Sequence, residues 1–237
     1  MIIPYIIGKN SNGENQHIDL CEIPLLMISY SNEDNLNNIF KQVYLHEYPY
    51  KGTNYLITNT RRLELLGIRQ NSGYIYLKDE PASGSIHSRW KMLKKVNDEI
   101  ARRKNILKAK RAKDFQRYFS LNLWNEEKLT YQFLLIDDIW DIIMSGPKSL
   151  GISLIGIILY GPMVGIHTIF ASGISYRNLL QQLVNINPAI TNALQAKYGI
   201  PAPKQIGLLG HEIIFTPDDL VYYKKRSMGD MERYYKL

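Results

Sequence analysis

One cysteine, Cys21, stands in 237 residues, so the chain can form no internal disulfide, and such sparing use fits a reducing compartment. It also leaves no thiolate cluster. The five histidines (His17, His46, His87, His167 and His211) have no spacing that suits a metal site. No serine sits in a nucleophile-elbow context. The opening stretch MIIPYIIGKN has neither the basic start nor the long apolar run of a secretory signal, which points to a cytoplasmic protein. Internal repeats and low-complexity linkers are missing as well. At this length the expectation is one domain over 1–237. These absences exclude a disulfide-stapled scaffold, a zinc module and a solenoid.

Charge is present in ordinary amount, 22% of residues, but it is unevenly placed. The whole chain carries +7, whereas Arg89–Arg117 holds twelve Lys or Arg against Asp98, Glu99 and Asp114. That segment therefore carries more positive charge than the whole, and the remainder is slightly acidic. By contrast, residues 150–171 have no charged side chain apart from a possible charge on His167. The run is long enough for a membrane span, but Gly151, Gly156, Gly161, Pro162 and Gly165 interrupt it. It reads better as a buried helix to about Tyr160, a turn at GPMVG, and a strand, so no membrane span is expected.

Apolar runs suited to buried strands occur at 23–29 (IPLLMIS), 53–60, 131–137 (YQFLLID), 165–172 (GIHTIFAS) and 211–217. Residues 88–112 turn helical, with Trp90, Leu93, Val96, Ile100 and Leu107 on one stripe. Strands alternating with helical segments predict an α/β fold with a mainly parallel sheet. His167, inside an apolar strand, reads as a core histidine. Two adjacent acids, Asp137 and Asp138, end the run YQFLLID. Two like charges at a core edge are costly unless a cation, water or donors compensate them, and nucleotide-hydrolysing folds use such a pair to hold a metal's water shell.

Taken in order, these pieces resemble the RecA-like motor domain of the FtsK/SpoIIIE family of DNA translocases. The segment 6–29 is similar to the family's entry into its phosphate loop. LITNTRRLELLGI (56–68) is similar to its DPKMLEL strand, and EIARRKNILKAKRAKDFQRYF (99–119) to its EMERRY helix. FLLIDDIWDII looks like the Walker B strand, GIHTIFAS like AGIHLVLATQ, and LLGHEIIFTPDD (208–219) like the closing LLGxGDMLY. The resemblance implies a RecA-like P-loop fold, an ATP- and Mg²⁺-dependent DNA motor, and assembly with like or related subunits.

The phosphate cradle that the resemblance requires is absent from the sequence. In place of G-x-x-x-x-G-K-S/T the chain reads YSNEDNLNN at 30–38. Tyr30 and Asn35 stand at the glycine positions, Leu36 at the lysine and Asn37 at the hydroxyl that binds Mg²⁺. Glu33 and Asp34 fall where the phosphates would sit. Two carboxylates facing a triphosphate oppose binding by several kcal/mol in total, on the order expected at intermediate dielectric. The missing lysine forfeits roughly 1.5–3 kcal/mol more. The same residues serve well as a helix start without any ligand.

By the resemblance, Asp137 keeps the first Walker B acid while Asp138 shortens the general base by one methylene. The family's ATQRP stretch reads Ala171-Ser172-Gly173-Ile174-Ser175 here. The expectation is a degenerate motor domain, a pseudo-ATPase that binds no nucleotide or metal and assembles with related subunits in a DNA-transfer or secretion machine. Against it stands an active translocase with a divergent site, or a pair of Asp that binds Mg²⁺ weakly. The basic segment, with Arg102, Arg103, Lys110 and Arg111, is either a solvated face or a contact to DNA phosphates. The helix 149–161 is apolar all round, which predicts a subunit contact at Leu154, Ile157, Ile158 and Tyr160, unless the tyrosine-rich C-terminal segment covers it.

Overall fold

The structure, a computed structural model, describes residues 4–29, 54–57, 74–77, 85–121, 129–137, 148–172, 210–215, 220–225 and 231–235. Along the chain run β1 (Pro4–Lys9), β2 (Asn15–Asp19), β3 (Leu25–Ser29), β4 (Asn54–Ile57) and β5 (Tyr74–Leu77). Next come α1 (Ser85–Ala109), α2 (Phe115–Phe119), β6 (Gln132–Ile136), α3 (Lys148–Tyr160), a 3-10 turn (Pro162–Val164) and β7 (Ile166–Ser172). The described part closes with β8 (Gly210–Phe215), β9 (Leu220–Lys225) and β10 (Met231–Tyr235).

All ten strands join one sheet in the order β2-β1-β10-β9-β8-β3-β7-β6-β4-β5. From β8 to β5 every pairing is parallel. From β8 to β2 every pairing is antiparallel. The fold is the expected RecA-like α/β, with an antiparallel wing that the sequence reading did not contain.

The central strands are mostly apolar because both faces of the sheet are covered, and β3, β6 and β7 are buried throughout. Alternate residues then divide between the faces. Leu25 and Met27, Leu134 and Ile136, and Ile166 and Phe170 form one cluster with α1, α2 and α3.

Helix α1 contributes Leu93, Val96, Ile100 and Leu107 to that cluster, spaced for one face of a helix. It stops at Ala109 rather than near Ala112 because the chain reverses hand. Arg111 has φ 53° and donates to Lys108 O, and Ala112 N donates to Leu107 O at 2.9 Å. This is the double backbone closure of a Schellman motif, with Ala112 and Leu107 both buried beside it.

The partner surface expected on the apolar helix is corrected here. Leu154, Ile157 and Ile158 are fully buried within the chain's own core. Among the described residues the cover is the apolar stripe of α1. Lys104 closes the edge, its Nζ lying 3.8 Å from the centre of the Tyr160 ring. The buried side of this apolar helix is thus packed between the sheet and α1, while Ile152 stays exposed.

After α3, Gly161 and Pro162 open the 3-10 turn, and Gly165 closes it at φ 76°. A Cβ at Gly165 would lie 2.5 Å from the Phe115 ring, so both the left-handed backbone and the close approach require glycine. This is the turn expected at GPMVG. Among the described residues no helix is long and apolar enough to cross a membrane.

Candidate functional site at the strand ends

In open parallel sheets, ligands bind just outside the carboxyl ends of the strands. Three such ends meet here. β3 finishes at Ser29, which pairs with Ser172 at the end of β7 and with Ile214 of β8. On the far side of β7, β6 finishes at Ile136, opposite Phe170, and Asp137 follows directly. Ser29, Ser172 and Asp137 are all buried, at 8%, 1% and 7% exposure. Polar side chains therefore replace the apolar run just where the strands stop. β7 lies between β3 and β6, so Ser172 stands between Ser29 and the end of the strand that Asp137 follows.

Asp137 is thus placed as the sequence predicted, at the carboxyl end of a buried strand. The other expected members lie outside the described residues: Tyr30, Glu33, Asp34, Asn35, Leu36, Asn37, Asp138 and the stretch from Gly173 to Ser175.

The expected DNA-contacting group does not act as one surface. Arg103 is 1% exposed. Its Nε donates to Glu99 Oε1 at 2.7 Å, and its Nη1 donates to Thr130 O at 2.8 Å and Val164 O at 3.0 Å. It therefore ties α1 to the chain before β6 and to the 3-10 turn, and cannot reach a phosphate. Arg102 is exposed and grips both oxygens of Glu99 at 2.7 Å. Burial alone would raise the Glu99 pKa, but hydrogen bonds and charge from Arg102 and Arg103 hold the carboxyl below its ordinary value. Lys110 is half-buried at the helix end, and Arg111 is exposed in its left-handed turn.

What the sequence reading missed is that α1 has two sides of different meaning. Arg103 falls between Ile100 and Leu107 on the apolar stripe, and that spacing was the available signal of burial. Among the described side chains of α1, the exposed positive charges are Lys91, Lys94, Lys95, Arg102, Lys104 and Lys108.

No protein-family model matches the sequence, and no curated protein matches it. Solved structures do. ATPases 2 and 3 of EssC from Geobacillus thermodenitrificans share 16% identity at a TM-score of 0.62, over 99% of this chain and 44% of that one. The cytoplasmic domain of the Thermomonospora curvata type VII secretion ATPase EccC shares 13% at 0.67, over 98% and 28%. The pCW3 conjugation coupling protein TcpA, solved with ATPγS, shares 13% at 0.63, over 98% and 65%. The chain spans less than two thirds of each of these proteins. At such identities the likeness is one of fold, and the fold is that of RecA-like secretion and conjugation ATPases.

Proposed function

We propose that this chain is a motor-domain-like subunit of a transfer or secretion machine that keeps the ATPase fold and does not turn over nucleotide. The observation that carries this is the reversed cradle at 30–38, with Leu36 for the lysine and Glu33 and Asp34 where phosphates would sit. The fold shared with secretion and conjugation ATPases supports the setting. It also supports assembly with like or related subunits. Calorimetry with ATP–Mg²⁺ at about 1 mM is expected to show no binding, and turnover is expected at background. Micromolar affinity, or a turnover that vanishes in Asp137→Ala, would overturn the reading. The active alternative is kept because Asp137 sits at the carboxyl end of its strand, where a working site would need it.

The same subunit is proposed to hold DNA weakly and without sequence preference through the outward face of α1. Arg103 plays no part in that contact. Reversal of Lys91, Lys95 and Arg102 to Glu is expected to abolish binding. In the parent, each phosphate neutralised should add about 0.9 to the log–log salt slope. A reversed variant that binds as well as the parent would leave the helix a solvated face.

A further inference from the structure

At the amino-terminal end of the same strands, away from the expected nucleotide side, a cavity of about 600 Å³ opens. It forms where Pro24 leads into β3, Tyr131 leads into β6 and His167 stands second in β7, with α2 and the 3-10 turn closing the side. That volume suits a small organic molecule.

Three aromatic rings make one wall. Phe115 meets Tyr131 edge-on, with centroids 4.7 Å apart and planes at 71°. Phe119 stands 6.2 Å from Tyr131 at 44° and 6.1 Å from Phe115 at 39°. Rings tilted against one another present faces of negative charge density from several directions, the arrangement that attracts ammonium and guanidinium groups. Phe115 already carries the buried Arg103 guanidinium, 5.8 Å from its ring centroid. The cavity-side attraction therefore rests mainly on Phe119 and Tyr131.

Three acids line the same space, Asp19, Glu22 and Asp114, and no lysine or arginine does so among the described residues. Two are fixed by the backbone. Asp19 Oδ1 accepts from Cys21 N at 2.9 Å, and Asp114 Oδ1 accepts from Arg117 N at 2.8 Å as the cap of α2. Lys113, largely exposed, has its Nζ 3.9 Å from Asp114 Oδ2. Glu22 is exposed at the mouth. On a chain of net charge +7, this cavity is an acidic island.

The buried imidazole of His167 adds a third, independent feature. Its Nδ1 is 2.9 Å from Leu20 O, so Nδ1 carries the proton and the neutral ring keeps an acceptor at Nε2. The negative field is felt by Tyr131. Its phenol is pushed up to about 12, first by burial and then by Cys21, Asp19 and Asp114. The acids do not converge as metal ligands. Among the described residues no group of three or more His, Cys, Asp or Glu is placed to hold a metal ion.

We propose that this cavity binds a small organic cation, an alkylammonium or guanidinium with an apolar body. The charge faces Asp19, Glu22 and Asp114, and the body lies against Phe119, Tyr131 and Met163. The proposal is independent of the nucleotide reading, since it concerns the other end of the sheet.

The test is calorimetry on the full chain with agmatine, spermidine and benzyltrimethylammonium, and with benzyl alcohol as a neutral control. At least one cation is expected to bind with sub-millimolar affinity, and the alcohol not at all. Glu22→Gln removes an exposed charge that caps nothing, and is expected to weaken the cation about five- to tenfold with thermal stability unchanged. Phe119→Leu is expected to weaken it comparably. Ile152→Ala, exposed on α3 and no part of the cavity lining, should leave cation binding unchanged. No binding by any cation, or equal binding by parent, Glu22→Gln and Phe119→Leu, overturns the proposal. So does binding of acetyl-Leu-Arg-Leu-amide without any free cation, which would make the cavity a seat for a protein segment.

Discussion

Arg103→Met is expected to destabilise the chain by about 3–5 kcal/mol, the range for breaking a buried charge network by removing one partner. The methionine would fill much of the space left by the aliphatic stem. It would still strand the carbonyls of Thr130 and Val164, which now accept from one Nη1 at 2.8 and 3.0 Å. Glu99 would lose the Nε donor while keeping its two bonds from exposed Arg102. Arg102→Ala is the comparison. It removes a solvent-facing partner and should cost about 1 kcal/mol or less. Urea unfolding of both variants measures the difference. If Arg103→Met falls within about 1 kcal/mol of Arg102→Ala, the guanidinium is no tie between α1 and the sheet. The result also bears on any test of DNA binding: reversing Arg103 to Glu would unfold the protein and mimic a lost contact.

Lowering the pH from 7 to 5 is expected to remove about 2 kcal/mol of stability through His167 alone. Burial is the main cause, pulling its pKa from 6.5 to about 4, while the Leu20 and Ile23 carbonyls and Asp19 act the other way. The sign follows from which state holds the proton. Between pH 6.5 and 4 the unfolded chain takes up a proton that the folded chain refuses, so stability is complete above 6.5 and falls as pH drops through that window. His167→Gln keeps a donor for Leu20 O and cannot titrate. Denaturant unfolding at both pH values should show the parent losing about 2 kcal/mol more than the variant. Equal losses would mean that the ring is reached by water or protonated in place.

The five apolar runs named in the sequence all contain strands of the sheet, and three of them, β3, β6 and β7, are buried throughout, which is why their sequences are so largely apolar and stand out from their surroundings. The wing strands did not stand out. β2 reads Asn-Gln-His-Ile-Asp, half exposed at a sheet edge, and its hairpin is fixed by Asn10 Oδ1 accepting from Asn12 N and Glu14 N rather than by apolar pattern. β10 reads Met-Glu-Arg-Tyr-Tyr, and β1 begins with a proline. Asp137 was legible because an acid closing a buried run is rare. Arg103 was misread because its charge was weighed above its place on the stripe. The cation cavity was illegible, since its walls come from residues 19–24, 114–119, 131 and 162–167, which only the fold brings together.

β10 has one further consequence, for the order in which the chain is made. It is the seam of the wing, pairing Tyr235 with Lys9 on β1 on one side and running along β9 from Leu220 to Lys224 on the other. The β1–β2 hairpin is local and can close as soon as its residues leave the ribosome, whereas its place in the sheet exists only after residue 235 has emerged. Until then β1 and β9 each keep an open row of backbone donors and acceptors, the kind of edge on which a second chain can pair. Among the described strands, the one latest in chain order is therefore the one that shields the earliest.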